Sequence, residues 1–378
     1  MLSTSRRLTR RQALASAGVG LSAVLAGCVG GGESDGLSTG ILDPEQYGSG
    51  FAGREPPGGT SMADLPALSG TLDVYSGRGE ALVRRVMDAI RSLYPDLTLR
   101  VSYGSSSDMV NKILGEGDNS PADVFYSVNA GSLGALAAEG RARELPSELL
   151  SVVDEEFQDP EGRWVGTSGR ARAIAFNTDR LAAADVPTDI FEFPDRPAFR
   201  DEMAWTPSYG SFQAFVTAMR LRQGRPPTER WLRGMLDSGV QAYPDEFALV
   251  QAVADGEVAL GFANHYYIQR VLDGRQGAPL ATAFTQGDAG AVFNVAGAAV
   301  TDTSAVPETA ANFVRHLLSA EAQEYFAVST YEYPMIGGVS PVGELPGVDE
   351  LAPPADIDLS RLSDLGPTIE LLREVGAL

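Results

Sequence analysis

From residue 72 onward, short apolar strand patterns alternate with amphipathic helical ones, and few folds can accommodate that order. Leu72-Asp73-Val74-Tyr75 alternates with a period of two and runs out at Ser76-Gly77. From Gly79 to Leu93, Leu82, Val83, Val86, Met87 and Ile90 recur at helical spacing, and Pro95 stops the pattern. A strand over Leu97–Tyr103, a helix over Ser107–Leu114, a strand over Asp123–Tyr126 and an Ala/Leu-rich helix over Asn129–Glu139 follow. Further strands are expected near Ala171–Asn177, Met203–Thr206, Ala259–Ala263 and Ala296–Val300. Helices are expected near Phe212–Arg222, Thr228–Ser238, Phe247–Asp255, Pro307–Leu318 and Ala320–Val328. This alternation predicts an α/β protein with a parallel or mostly parallel sheet covered by helices on both faces. At 378 residues the chain has room for two lobes.

The N-terminus reads as an address. Arg6-Arg7 and Arg10-Arg11 precede a run of small apolar residues, Ala13 to Ala26, too short for an ordinary membrane span. Paired arginines fit a twin-arginine signal. Leu25-Ala26-Gly27-Cys28 is similar to a lipobox, so residues 1–28 are expected to form a lipoprotein signal with Cys28 as the lipidated residue. The chain has no other cysteine, which excludes an internal disulfide and any multi-cysteine metal site. Residues 29–70 are rich in Gly, Ser, Pro and Asp and are expected to be a flexible tether. The chain is thus expected outside the cytoplasm, held by lipid to the outer face of the cytoplasmic membrane.

Charge narrows the partners. The net charge is -21, and Lys112 is the one lysine among 29 cationic side chains. A nucleic-acid binder needs a basic face, and this composition does not supply one. An acidic, lysine-poor chain suits a halophilic source. The sequence holds two histidines, no pairing of nucleophile with base and no Gly-Lys-Ser/Thr phosphate loop, so catalysis is not expected.

Six blocks appear in order: Asp73-Val74-Tyr75-Ser76-Gly77-Arg78, Pro121-Ala122-Asp123-Val124-Phe125-Tyr126-Ser127, Ser168-Gly169-Arg170-Ala171-Arg172, Thr206-Pro207-Ser208-Tyr209-Gly210-Ser211-Phe212, Ala263-Asn264-His265-Tyr266-Tyr267 and Tyr331-Glu332-Tyr333-Pro334. The series resembles the bacterial periplasmic ferric-ion-binding proteins over residues 71–378. The resemblance implies a two-lobed type II periplasmic binding protein fold with two crossover hinge strands. Lobe one would comprise 71–171 plus 297–347, and lobe two 172–296 plus 348–378. It also implies a binding protein, expected as a monomer, that delivers Fe(III) to an ABC permease and its ATPase.

Adjacent Tyr266-Tyr267 is the family's most telling feature, a source of two phenolates for one hard cation. The best-known subtype has a histidine where Gly79 stands and a glutamate where Val128 stands, so a His/Glu/Tyr/Tyr site is excluded. Tyr209 matches instead a subtype that binds iron through three tyrosines and a carbonate. By that resemblance Tyr209, Tyr266 and Tyr267 are the candidate metal ligands. Arg78 is the first candidate to hold the synergistic anion through its planar fork. Arg172 or Arg170 is the second, with a hinge salt bridge as the alternative for both. Gly77 N–H, the helix N-terminus after it and Ser208 would add donors. Tyr103 and Tyr126 are expected in packing roles or just behind the ligands, His265 beside the site or at the surface, and His316 in a structural role. The rival cargo is another small solute bound without metal: an organic or inorganic anion, thiamine or a polyamine.

Overall fold

The computed structural model describes Leu42, Phe51, residues 53–354 and residues 356–378. All lie in one unit, Leu37–Leu378. The expected signal segment and Cys28 fall outside the described residues. No helix among the described residues is long and apolar enough to cross a membrane.

The first half follows the expected alternation: β1 (Gly70–Ser76), α1 (Glu80–Leu93), β2 (Leu97–Tyr103), α2 (Ser106–Glu116), β3 (Val124–Ser127), α3 (Ala130–Ala138) and a single turn, α4 (Ser147–Leu150). Helix α1 buries Val83, Val86, Met87, Ala89 and Ile90, and each large side chain so buried is worth roughly 1.5–3 kcal/mol. Leu82, expected on the same face, is 41% exposed. Glu80 in the first turn and Arg91 in the last complement the helix dipole.

Strand β4 (Val165–Asn177) begins six residues before the strand expected there. Next come β5 (Met203–Trp205), α5 (Gly210–Gln223), α6 (Arg225–Asp237), β6 (Gln241–Ala242), α7 (Glu246–Ala254), β7 (Leu260–Asn264), α8 (His265–Gly274), β8 (Leu280–Ala283) and β9 (Phe293–Val300). The chain closes with α9 (Pro307–Leu317), α10 (Ala320–Ser329) and α11 (Gly366–Val375).

The strands run β2-β1-β3-β9-β4-β7-β5-β6, with β8 also on β4. The mostly parallel sheet expected from the sequence is therefore corrected to a mixed one. β1 is parallel to β2 and β3, and β5 to β6 and β7. The pairings β3–β9, β9–β4, β4–β7 and β4–β8 are antiparallel. Residue periodicity reports which face of a strand is buried and carries no information on its direction.

β4 changes partners midway. Val165–Ala171 pair with β9, whereas Arg172–Phe176 pair with β7 and Ile174–Asn177 with β8. The core divides at the same point. Ala171 belongs to the same buried cluster as Leu72, Val124, Phe293, Phe313 and Tyr333. Ile174 belongs to a second, with Trp205, Phe212, Phe215, Trp231 and Phe262, and Ala173 to a third, with Leu249, Val250 and Ile268. At the crossing, Gly169 exchanges two backbone hydrogen bonds with Tyr333, and a Cβ there would lie 2.1 Å from the Phe293 ring. Only glycine permits that approach.

The expected tether is shorter than residues 29–70. From Arg54 the chain is docked: Arg54 donates to Ser340 O at 2.5 Å and lies 3.4 Å from Glu324. Gly58 N–H donates to Gly338 O, and Glu321 accepts from the Ser61 hydroxyl and Met62 N–H. These partners are more than 250 residues away in sequence, so composition alone reads the segment as a linker.

Candidate metal centre

Three tyrosines meet at two helix N-termini. Tyr209 is the N-cap residue of α5 and is half-buried. Tyr266 and Tyr267 occupy the first turn of α8, which begins where β7 ends. The Tyr209 and Tyr267 hydroxyls are 2.5 Å apart. The rings of Tyr266 and Tyr267 lie 4.4 Å apart, tilted by 43°. Asn264, at the N-cap of α8, donates its side-chain amide to the Tyr266 hydroxyl at 3.3 Å. Burial pushes the Tyr266 phenol up to about 12; the Glu246 charge adds to this and Arg170 opposes it. Burial, then the neighbouring Tyr266 and Tyr209 phenols, holds Tyr267 well above the ordinary tyrosine range. All three residues named from the sequence thus share one locus. Among the described residues no cluster of three or more His, Cys, Asp or Glu side chains could hold a metal ion. A metal at this locus would be bound chiefly by phenolic oxygen.

The arginines divide differently from expectation. Arg78 is fully buried, and both its terminal nitrogens bind Glu332, at 3.2 and 2.6 Å, while one also donates to the Ser168 hydroxyl at 2.7 Å. Burial disfavours the Arg78 charge, but Glu332 more than offsets it and raises the pKa. The same pairing outweighs burial at Glu332 and lowers its pKa. The expected anion fork is therefore corrected to an internal ion pair. Arg172 is buried too. It pairs with Glu246 and donates to Phe262 O at 2.7 Å, and its guanidinium carbon lies 5.5 and 5.2 Å from the ring centres of Phe212 and Phe215. The salt-bridge alternative holds for this residue.

Arg170 is the exception. It is 15% exposed, its Nε stands 3.9 Å from Glu332 and has no hydrogen-bond partner, and its charge acts on Tyr266. Gly77 is no anion donor, because its N–H donates to Tyr126 O at 2.7 Å. Its side is closed by Ser106, whose Cα would lie 2.6 Å from an added Cβ, so close packing explains the glycine. Ser208 is exposed in the turn before α5.

Two residues without a role in the sequence reading join the site. Glu246, completely buried, accepts from Asn264 N–H at 2.8 Å and from the Ser211 hydroxyl as well as pairing with Arg172. Glu332 gathers Arg78, Ser168 and Thr330. Nothing local in the sequence gives either glutamate its charged partner, since Arg172 and Arg78 come from distant segments. His265 is fully buried, not at the surface. Its Nδ1 accepts from Ala171 N–H at 3.1 Å, and its Nε2–H donates to Tyr331 O at 2.8 Å. Burial lowers its pKa to about 4, so the ring is neutral at ordinary pH. His316 lies buried in α9 and binds Asn312 O and the Tyr94 hydroxyl, consistent with a structural role.

Residues 119–363 match the profile of the family described as bacterial extracellular solute-binding protein. Among curated proteins, the chain is 29% identical to iron uptake protein A2 of Synechocystis sp. over 84% of its own length and 96% of the relative's. It is 26% identical to the major ferric iron-binding protein of Neisseria meningitidis, over 83% and 95% of the two chains. Among solved structures, the iron-bound HitA of Pseudomonas aeruginosa superposes with a TM-score of 0.70 at 29% identity, covering 81% of this chain and 99% of that one. The α/β, mixed-sheet fold matches type II periplasmic binding protein structures. The family match spans well over half of the sequence, and the chain belongs to the bacterial extracellular solute-binding protein family, whose members bind solutes and are not enzymes.

Proposed function

We propose that this protein is the lipid-anchored, extracytoplasmic substrate-binding component of an ABC importer, and that its cargo is Fe(III). In this reading Tyr209, Tyr266 and Tyr267 lose their protons and bind the ion as phenolates. Three phenolates balance its charge, and a synergistic anion, carbonate in the first instance, completes the coordination. The lobes comprise 71–171 plus 297–347 and 172–296 plus 348–378, and they close by hinge motion on the loaded site. An ABC permease and its ATPase receive the iron.

The observation that carries the reading is the 2.5 Å approach of the Tyr209 and Tyr267 hydroxyls beside Tyr266. Phenolic oxygens gathered at one point suit a hard trivalent cation better than an organic cation or a lone anion. The similar proteins named for iron uptake and ferric iron binding favour the same cargo. Arg170 is the candidate for holding the anion, since Arg78 and Arg172 are committed to buried carboxylates.

The test is a titration of the purified mature protein with Fe(III), with and without bicarbonate, followed by visible absorption. A phenolate-to-iron charge-transfer band that is lost in Tyr266→Phe is the expected result. No band and no retained iron in either buffer would refute the cargo; tight binding of an anion alone would favour a metal-free solute instead.

A further inference from the structure

His265 occupies an unusual place. It is the first residue of α8, its ring meets that of Tyr266 edge-on at 5.8 Å, and both its nitrogens bind backbone groups around the point where β4 changes partners. Ala171, whose N–H it accepts, is the last β4 residue paired with β9; Arg172 is the first paired with β7. Its other nitrogen donates to the carbonyl of Tyr331. Tyr331 is a non-glycine residue at φ +60°, a conformation of higher energy for a side chain of this size. Two residues on, Tyr333 bridges to Gly169 of β4, and its ring lies 4.6 Å from the imidazole. One buried ring therefore joins three segments: the start of the tyrosine-bearing helix, the crossover strand and the Tyr331–Tyr333 loop.

We propose that His265 is a positioning residue that couples the tyrosine site to the hinge. A change of twist at Ala171 moves the first turn of α8 through the imidazole, and with it Tyr266 and Tyr267. Conversely, a cation that fixes those two phenols fixes the crossover through the same ring, because coupling between two sites is reciprocal. A residue that merely filled space here would need no donor on one side and acceptor on the other. This inference rests on the reading that Tyr266 and Tyr267 bind the cargo.

The experiment uses the mature chain and three variants, His265→Gln, His265→Asn and His265→Phe, with Fe(III) plus bicarbonate as the probe. Three quantities are read: the charge-transfer band, the rate of iron release to excess citrate, and the fall in radius of gyration on loading, by small-angle X-ray scattering. Phenylalanine keeps the ring and removes both hydrogen bonds. H265F is expected to retain the band, to release iron about tenfold faster, within the range usual for coupled sites, and to lose most of the compaction. Glutamine offers a donor and an acceptor at its end and is expected to restore both properties. Asparagine reaches one partner only and is expected to fall between, which keeps the test open should H265F fail to fold. Release and compaction unchanged from wild type in H265F and H265N would overturn the coupling while leaving the cargo assignment standing. Equal defects in all three variants, glutamine included, would also overturn it, as the signature of a packing role. Absence of the band in the wild type would remove the cargo reading itself.

Discussion

The hydroxyls of Tyr209 and Tyr267 meet at 2.5 Å across 58 residues of sequence, from the N-cap of one helix to the first turn of another. Each phenol is thereby held in place by the other. Tyr267→Phe removes a proposed ligand and leaves Tyr209 without that partner. Iron affinity should fall by more than the roughly 10–100-fold seen when a supporting partner of a metal ligand is lost. Thermal unfolding of the apo protein should change little, because the group removed is half-buried. Competition with a chelator and a melting curve together check both statements.

Iron affinity should fall steeply with acid. Burial pushes Tyr266 up to about 12 and Tyr267 higher still, so both phenols are protonated near neutral pH and the metal must displace their protons. Each phenol that loses a proton adds a dependence of about one proton to the binding constant. Titrations between pH 6 and pH 8 should give a slope well above one proton per iron; a flat profile would be inconsistent with phenolate ligation.

Arg78 and Arg170 should behave differently although both adjoin Glu332. Arg78→Met strips the buried Glu332 of its closest cationic partner, and breaking such a pair typically costs about 3–5 kcal/mol. The double variant Arg78→Met with Glu332→Leu should recover part of that loss. Arg170→Gln should alter stability far less and instead weaken the bicarbonate dependence of iron binding. Urea unfolding of the three variants, with iron titrations in both buffers for Arg170→Gln, separates the roles.

Acid should destabilise the apo protein through its buried histidines. His265 has a folded pKa of about 4 because it is buried, against about 6.5 for an unfolded histidine. Between those values the unfolded chain binds the extra proton, so stability falls as pH drops from about 6.5 to about 4. The full effect is on the order of 3 kcal/mol. His316 is shifted in the same direction by burial and adds to the slope. Glu332, with its pKa lowered by Arg78 and Arg170, contributes stability that is lost only below the ordinary glutamate range. Melting temperatures of wild type and His265→Gln across this window should converge at the acid end.

Much of the fold could be read locally. Helix α1 lies where apolar periodicity places it, because an amphipathic helix is signalled by residues three and four apart, and α2, α5, α9 and α10 lie within a few residues of the spans expected for them. Helix α8 was not legible. It follows β7 without a break, and His265-Tyr266-Tyr267-Ile268 reads as more strand, since aromatic and β-branched residues favour strands. The first half of β4 was hidden by Gly166, Gly169 and Arg170, which interrupt any apolar alternation.

What the sequence determined by itself was the class of fold, the order of its local elements and the chemistry offered at Tyr209, Tyr266 and Tyr267. Side-chain type and short-range spacing suffice for these. Tertiary structure decided strand direction, the convergence of the three phenols and the fate of each arginine. Arg78 finds Glu332 across 254 residues and Arg172 finds Glu246 across 74. A buried charge takes whichever opposite charge the folded backbone brings within reach, and no local pattern specifies that partner.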